Sequence, residues 1–108
     1  MKKKPDIVRQ SKHPYKTESK LEKNLFKAFA YLKNEQEIAN FLRDLLTPAE
    51  LEEFANRLEI AELLIKRELS YLEIAQKVGT STTTVTRVAQ WLFRGCGGYM
   101  TVIERSQK

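Results

Sequence analysis

Six of the seven residues from 80 to 86 carry a short hydroxyl side chain, in the order Thr-Ser-Thr-Thr-Thr-Val-Thr. A hydroxyl donates one hydrogen bond and accepts two, and threonine adds a methyl group that contacts apolar atoms. Such side chains can therefore bind phosphates or the edges of bases. Threonine and valine are mediocre helix formers, because a branched Cβ loses χ1 freedom in a helix. Helix propensity alone therefore does not explain why they are concentrated here.

The residues around this cluster have the pattern of two short helices joined by a tight turn. Ser70 and Glu73 form a capping pair for a helix that begins at Tyr71, and this helix is predicted to end at Gly79. Ser81 can cap the second helix. Six positions carry the apolar or small residues expected at their offsets: Ile74, Ala75, Val78, Gly79, Val85 and Val88. Segment 70–93 is therefore predicted to be a helix-turn-helix.

A helix-turn-helix explains the hydroxyl cluster, because the first turns of its second helix enter the major groove of DNA. Thr82, Thr83 and Thr86 are predicted on the outward face, where hydroxyls reach base edges and methyl groups contact thymine. Residues at the N-terminal end of this helix suit a phosphate. The candidate DNA contacts are Ser70, Tyr71, Thr80, Ser81, Thr82, Thr83, Thr86 and Arg87. The alternative interpretation is that these hydroxyls are only helix caps and solvated surface.

The net charge of +5 is concentrated at the N-terminal end of the chain. Residues 1–20 contain seven Lys or Arg and two acidic residues, whereas residues 21–108 contain twelve of each sign. Residues 1–17 are therefore predicted to be a basic, flexible tail. Lys2, Lys3 and Lys4 are further candidate DNA contacts, because neutralised phosphates release counterions. The alternative is a solvated tail that contacts nothing.

Residues 18–108 are predicted to be one all-α domain of five to six helices. Four segments place a capping residue three positions before a glutamate: SKLE at 19–22, NEQE at 34–37, TPAE at 47–50 and SYLE at 70–73. In such a box the glutamate reaches back to the N–H of the cap. Each segment opens an apolar pattern of helical period, and no strand pattern competes. The apolar faces exceed what one small core can use, which predicts a homodimer.

The composition argues against several classes of protein. Cys96 is the only cysteine, which excludes an intrachain disulfide and a cysteine-rich metal site, and His13 is the only histidine. The glutamates of the long helix have no histidine or nucleophile beside them, so we expect neither a metal site nor an enzyme. No apolar run reaches membrane-spanning length, and no apolar stretch follows the first lysines. We therefore expect a cytoplasmic protein that does not bind membranes.

Residues 45–92, LLTPAELEEFANRLEIAELLIKRELSYLEIAQKVGTSTTTVTRVAQWL, resemble the core of the tryptophan repressor family. Leu-Leu-Thr-Pro opens the long helix, Arg57 precedes a Glu-Leu-Leu stretch, and Thr-Val-Thr-Arg ends at Arg87. The whole chain resembles most closely the TrpR-like YerC/YecD group of small bacterial proteins. The resemblance implies an intertwined homodimer that binds a palindromic operator in double-stranded DNA and represses transcription. The alternative is a protein-interaction module that keeps the fold without an operator of its own.

The resemblance also implies a site for a small effector, which in the repressor is tryptophan between the helix-turn-helix and the core. The corresponding positions are Thr47, Arg57, Thr84 and Arg87, together with Val88 and Trp91, where the family has glycine and serine. Trp91 can fill an indole-sized space from inside, so we expect no required cofactor; tryptophan or another small ligand is the alternative. The other interpretation of the arginines is ion pairing. Arg57 would then pair with Glu53 or Glu50, and Arg87 with a phosphate.

Overall fold

The computed structural model describes residues 14–107, which form six α-helices and no β-strand. The helices are α1 (Lys20–Ala30), α2 (Glu35–Leu45), α3 (Pro48–Lys66), α4 (Tyr71–Val78), α5 (Thr82–Arg94) and α6 (Gly98–Ser106). The all-α prediction is confirmed. Lys2, Lys3 and Lys4, with most of the predicted tail and His13, lie outside the described residues.

The first four helices begin at the capping residues that the sequence predicts. The side chains of Ser19, Asn34, Thr47 and Ser70 accept a hydrogen bond from the backbone N–H three residues later, at 3.2, 2.9, 3.1 and 3.1 Å. In α3 and α4 the glutamate also accepts from the N–H of the cap, at 2.9 and 2.8 Å. These two helices therefore have complete capping boxes.

The glutamates of α1 and α2 bind other partners, so the boxes predicted there are incomplete. Glu37 accepts from the backbone N–H just before its cap, at 2.8 Å. Glu22 accepts from the hydroxyl of Tyr15 at 2.8 Å. The N–H of Ser19 donates instead to the hydroxyl of Thr17, at 3.0 Å. In both helices, residues that precede the cap therefore supply the hydrogen-bond partner of the glutamate.

The described residues fall into two compact units, and the N-terminal unit is Tyr15–Phe54. It contains α1, α2 and the first turns of α3, and neither α1 nor α2 has a buried residue. Phe29 and Phe41 meet edge to face, with ring centroids 5.3 Å apart. Large apolar side chains nevertheless stay exposed: Tyr15, Leu21, Leu25, Phe26, Phe29, Tyr31, Ile38, Leu45 and Phe54. Within one chain, this unit leaves much of its apolar surface uncovered.

The C-terminal unit, which comprises Pro14 and residues 55–107 of the described chain, contains the hydrophobic core. Its buried residues come from α3, α4, α5 and α6: Ile60, Ala61, Leu63, Leu64, Ile74, Ala75, Val85, Val88, Ala89, Leu92, Met100 and Ile103. Ile60, Ile74, Val85 and Val88 have no exposed surface at all. Because four helices share this one core, the core fixes the positions of α4 and α5 relative to each other.

Three residues connect α4 to α5, and Gly79 is the first of them. Its φ is 85°, in the left-handed region where a residue with a Cβ is strained. The N–H groups of Gly79 and Thr80 both donate to the carbonyl of Ala75, at 2.9 Å each. This arrangement closes α4 and lets the chain turn directly into α5.

Gly79→Ala should lower the free energy of unfolding by about 1–2 kcal/mol, which is the usual cost of a left-handed residue that carries a Cβ. Steric clash does not contribute, because no atom lies within 4 Å of the added Cβ. Urea unfolding followed by circular dichroism measures the change.

Gly98→Ala is the matched control for this substitution. Its added Cβ also meets no atom within 4 Å, but Gly98 lies in α6 without a positive φ. This variant should be as stable as the native protein or slightly more stable. Equal stability of the two variants would contradict a left-handed Gly79.

Candidate nucleic-acid interface

The first half of α5 separates its apolar residues from its polar ones. Val85 and Val88 are completely buried and belong to the core. The exposed polar side chains at this end are Ser81, Thr82, Thr83, Thr86 and Arg87. We call these five residues the outer surface of α5. The three threonines predicted on the outward face of the helix are all exposed.

Ser81 caps α5 and defines its N-terminal end. The Ser81 Oγ accepts from the N–H of Thr84 at 3.2 Å, and the two hydroxyl oxygens are also 3.2 Å apart. The N–H groups of Thr82 and Thr83 have no partner within the helix, as in the first turn of any helix. This end is therefore suited to an anion such as a phosphate.

The threonine hydroxyls of the outer surface of α5 differ in what they can still bind. The Thr86 hydroxyl donates to the carbonyl of Thr82 at 3.0 Å. It can therefore accept a hydrogen bond from a ligand and offer its methyl group, while its proton is engaged. Within the described part of the chain, the hydroxyls of Thr82 and Thr83 have no hydrogen-bond partner. These two can both donate and accept.

The other predicted contacts of the described residues lie in α4 and in the turn. Thr80 is half-buried, and its N–H is engaged by Ala75, so its side chain alone is available. Ser70 accepts from the N–H of Glu73 at 3.1 Å. Tyr71 is 43% exposed. Sequence reasoning did not single out Lys77, an exposed cation in the last turn of α4, although a basic residue next to the turn was visible there.

The structure places the six predicted effector positions in different surroundings. Thr47 belongs to the N-terminal unit, where it caps α3, and the other five positions belong to the C-terminal unit. Thr84 is half-buried and its hydroxyl contacts Ser81. Val88 is part of the core. Arg87 belongs to the exposed outer surface of α5.

The structure does bring the remaining two effector positions together. The Arg57 guanidinium carbon lies 5.3 Å from the centroid of the Trp91 ring, in a cation–π contact between α3 and α5. Trp91 remains 45% exposed. The positive charge of Arg57 also acts on Tyr99 of α6: burial raises the pKa of the Tyr99 phenol, and Arg57 opposes part of that rise. Sequence reasoning did not identify Tyr99.

Residues 14–107 lack two other features, a cluster of metal-binding side chains and a membrane-spanning helix. No group of three or more His, Cys, Asp or Glu side chains there is placed to hold a metal ion. None of the six helices combines the length and apolar character needed to cross a membrane. Cys96, beside the start of α6, is exposed and carries a free thiol.

Known proteins resemble this chain over most of its length. A model of the family described as Trp repressor protein matches residues 20–107. A Bacillus subtilis (strain 168) protein named YerC, itself described as uncharacterized, is 35% identical over 81 residues. That alignment covers 75% of this chain and 77% of YerC. The similarity therefore includes both units and is not confined to α4 and α5.

Two solved structures share the fold. A TrpR-like protein from Eubacterium eligens superposes with a TM-score of 0.75 and is 36% identical, covering 83% of this chain and 92% of that one. A Staphylococcus aureus protein described as a candidate Trp repressor has a TM-score of 0.74 and 31% identity, covering 82% and 88% of the two chains. The expected family fold is confirmed.

Ser81→Ala should lower the free energy of unfolding by about 1 kcal/mol, because the N–H of Thr84 loses its acceptor. Ser81→Asp is the control, since aspartate is an equally good cap and its charge suits a helix N-terminus. It should keep native stability in thermal unfolding. If Ser81→Ala is as stable as the native protein, the cap contributes nothing to α5.

Proposed function

This chain belongs to the Trp repressor protein family, and from that premise we propose that it is a sequence-specific DNA-binding repressor of transcription. The family is one of regulators and not of enzymes. In this proposal two copies of the chain bind a palindromic operator, and each copy inserts α5 into one major groove. The alternative is a protein-interaction module with the same fold.

The observation that carries the proposal is the outer surface of α5. Its five polar residues stand on a helix whose other side is completely buried at Val85 and Val88. Discrimination between bases needs side chains held on a rigid support, because a shift of a fraction of an ångström breaks a hydrogen bond. A hydroxyl-rich surface on a core-anchored helix provides that support.

The hydrogen bonds that each hydroxyl already makes indicate which base edge it can contact. Because its proton is engaged by Thr82, Thr86 acts as an acceptor and as a methyl group. An A·T pair presents both an amino donor on adenine and a methyl group on thymine in the major groove. We therefore assign Thr86 a preference for A·T. Thr83 can donate or accept, so it fits either kind of base edge.

The remaining candidate contacts serve the phosphates in this proposal. The helix end at Ser81 binds a phosphate through backbone N–H groups, and Arg87 supplies a positive charge further along the outer surface of α5. The other members of this set are Ser70, Tyr71 and Thr80, with Lys2, Lys3 and Lys4 from outside the described residues. Phosphate contacts give affinity that falls with salt concentration but carries no sequence information.

The exposed apolar side chains of the N-terminal unit support the homodimer. Leu21 is 81% exposed and Tyr31 is 76% exposed, although both belong to a unit made almost entirely of amphipathic helices. Many large exposed apolar side chains in one small unit are typical of a protein–protein interface. A second copy would cover it and bring two α5 helices to half-sites about 34 Å apart.

Thr86→Ala should relax the base preference at one position of each half-site and cost about 1–3 kcal/mol of binding free energy on the preferred site. Selection of bound fragments from random DNA, followed by titration of the selected site, measures both effects. Thr83→Ala should do the same at a neighbouring position.

Thr101→Ala is the matched control for Thr86→Ala. Thr101 is exposed on α6 and donates to the carbonyl four residues earlier at 3.0 Å, as Thr86 does. Thr101→Ala should therefore change helix stability as much as Thr86→Ala does, but it should leave DNA binding unaltered. If the native protein selects no motif, or if both variants behave alike, the protein-interaction alternative is favoured.

Sedimentation equilibrium at micromolar concentration should show a species of twice the chain mass of 12.6 kDa. Leu21→Glu should shift it towards the monomer, because a charge would enter the covered apolar surface. Lys23→Gln is the control, since it changes the charge of the same helix by the same amount at an exposed polar position. A native protein that sediments only as a monomer would contradict the dimer.

A further inference from the structure

Arg57 of α3 lies against Trp91 of α5, and Tyr99 of α6 packs against the core of the same unit. Arg57 extends from α3, and its guanidinium covers one face of the Trp91 ring of α5 at 5.3 Å. Tyr99 of α6 lies close enough for the charge of Arg57 to act on its phenol. We call Arg57, Trp91 and Tyr99 the aromatic clamp.

The turn between α5 and α6 passes close to the backbone of Trp91. The N–H of Gly95 donates to the carbonyl of Trp91 at 3.1 Å. A Cβ at Gly95 would lie 2.3 Å from that carbonyl oxygen, so only glycine allows the close approach. Met100 and Ile103 then anchor α6 in the core at 3% and 2% exposure. The turn therefore starts α6 directly after the end of α5 that carries Trp91.

We propose that Arg57, Trp91 and Tyr99 are positioning residues that hold α5 against α3 and α6, so that the outer surface of α5 is ready to read DNA without a bound effector. This inference rests on the proposed function. In this arrangement Trp91 supplies, from within the chain, an indole ring for the guanidinium of Arg57. A planar ligand cannot take the place beside the guanidinium of Arg57 that Trp91 already occupies.

The clamp acts on the reading residues through the helix itself. Trp91 follows Thr86 by five residues in α5, and a helix of this length turns as one body. The core resists its translation, because Val85, Val88 and Leu92 are buried. Trp91, which is 45% exposed, adds a contact to α3 beyond those of the core, and this contact further opposes rotation of α5 about its axis. Loss of the clamp should therefore reduce specific binding more than it reduces stability.

Trp91→Ser should weaken binding to the selected operator by about tenfold or more, while binding to random DNA stays within about twofold, because phosphate contacts tolerate a small rotation. Trp91→Phe should restore most of the loss, since phenylalanine also offers a ring face to a cation. Arg57→Gln should resemble Trp91→Ser. Thermal unfolding of each variant shows that the fold is retained.

Added tryptophan should leave operator binding by the native protein unchanged. In Trp91→Ser it should restore part of the affinity, because the ring can then be supplied from solution. Calorimetry and fragment titration measure both. Tighter operator binding by the native protein in the presence of tryptophan would overturn the inference, as would full operator affinity in Trp91→Ser.

Titration of Tyr99 tests the clamp without DNA. Removal of the charge in Arg57→Gln should raise the pKa of the Tyr99 phenol, which is followed by ultraviolet difference absorbance against Tyr99→Phe. Lys66→Gln removes a charge from the exposed end of α3, the helix that also carries Arg57, and should leave the pKa of Tyr99 unchanged. An unchanged titration in Arg57→Gln would overturn the clamp. If this titration responds but the native protein selects no DNA motif, the proposed function has failed and the positioning role fails with it.

Discussion

Burial of one face of α5 is the interaction on which the rest of the structure depends. Complete burial of a valine stabilises a fold by about 1.5–3 kcal/mol, whereas a threonine in a helix costs only a few tenths of a kcal/mol relative to a good helix former. Val85 and Val88, both fully buried, therefore outweigh the weak propensity of the neighbouring threonines. The core makes this segment helical and thereby leaves the hydroxyls on the opposite side, where they can act on a ligand.

Local features were predictable because their causes are local. The caps at Ser70 and Ser81 and the left-handed Gly79 depend on atoms within four residues, so residue type and spacing were enough. The partners of Glu22 and Glu37 were not predictable, since they depend on how the chain approaches the helix. Amphipathic periodicity gave the all-α fold, but it could not show how the chain divides into two units.

The candidate site was predictable in outline but not in its chemistry. Whether a threonine hydroxyl bonds to the backbone four residues earlier depends on its χ1 rotamer, which sequence does not fix. The structure therefore assigns different hydrogen-bonding capacities to Thr83 and Thr86, which looked equivalent in sequence. The contact between Arg57 and Trp91 joins residues on different helices. Sequence reasoning considered glutamates of the same helix as partners for Arg57, and it could not show this contact between helices.

The two units differ in what stabilises them, and this difference bears on how the proposed regulator would respond to concentration. The C-terminal unit has a core of its own, but α1 and α2 bury no residue within one chain. If a second copy covers that surface, folding of the N-terminal unit is linked to association by mass action. Two linked heads bind an operator far more tightly than one head, because the second binding event becomes intramolecular. Occupancy of a palindromic site would then rise steeply with protein concentration, which gives control over DNA binding even when the aromatic clamp keeps each α5 permanently ready.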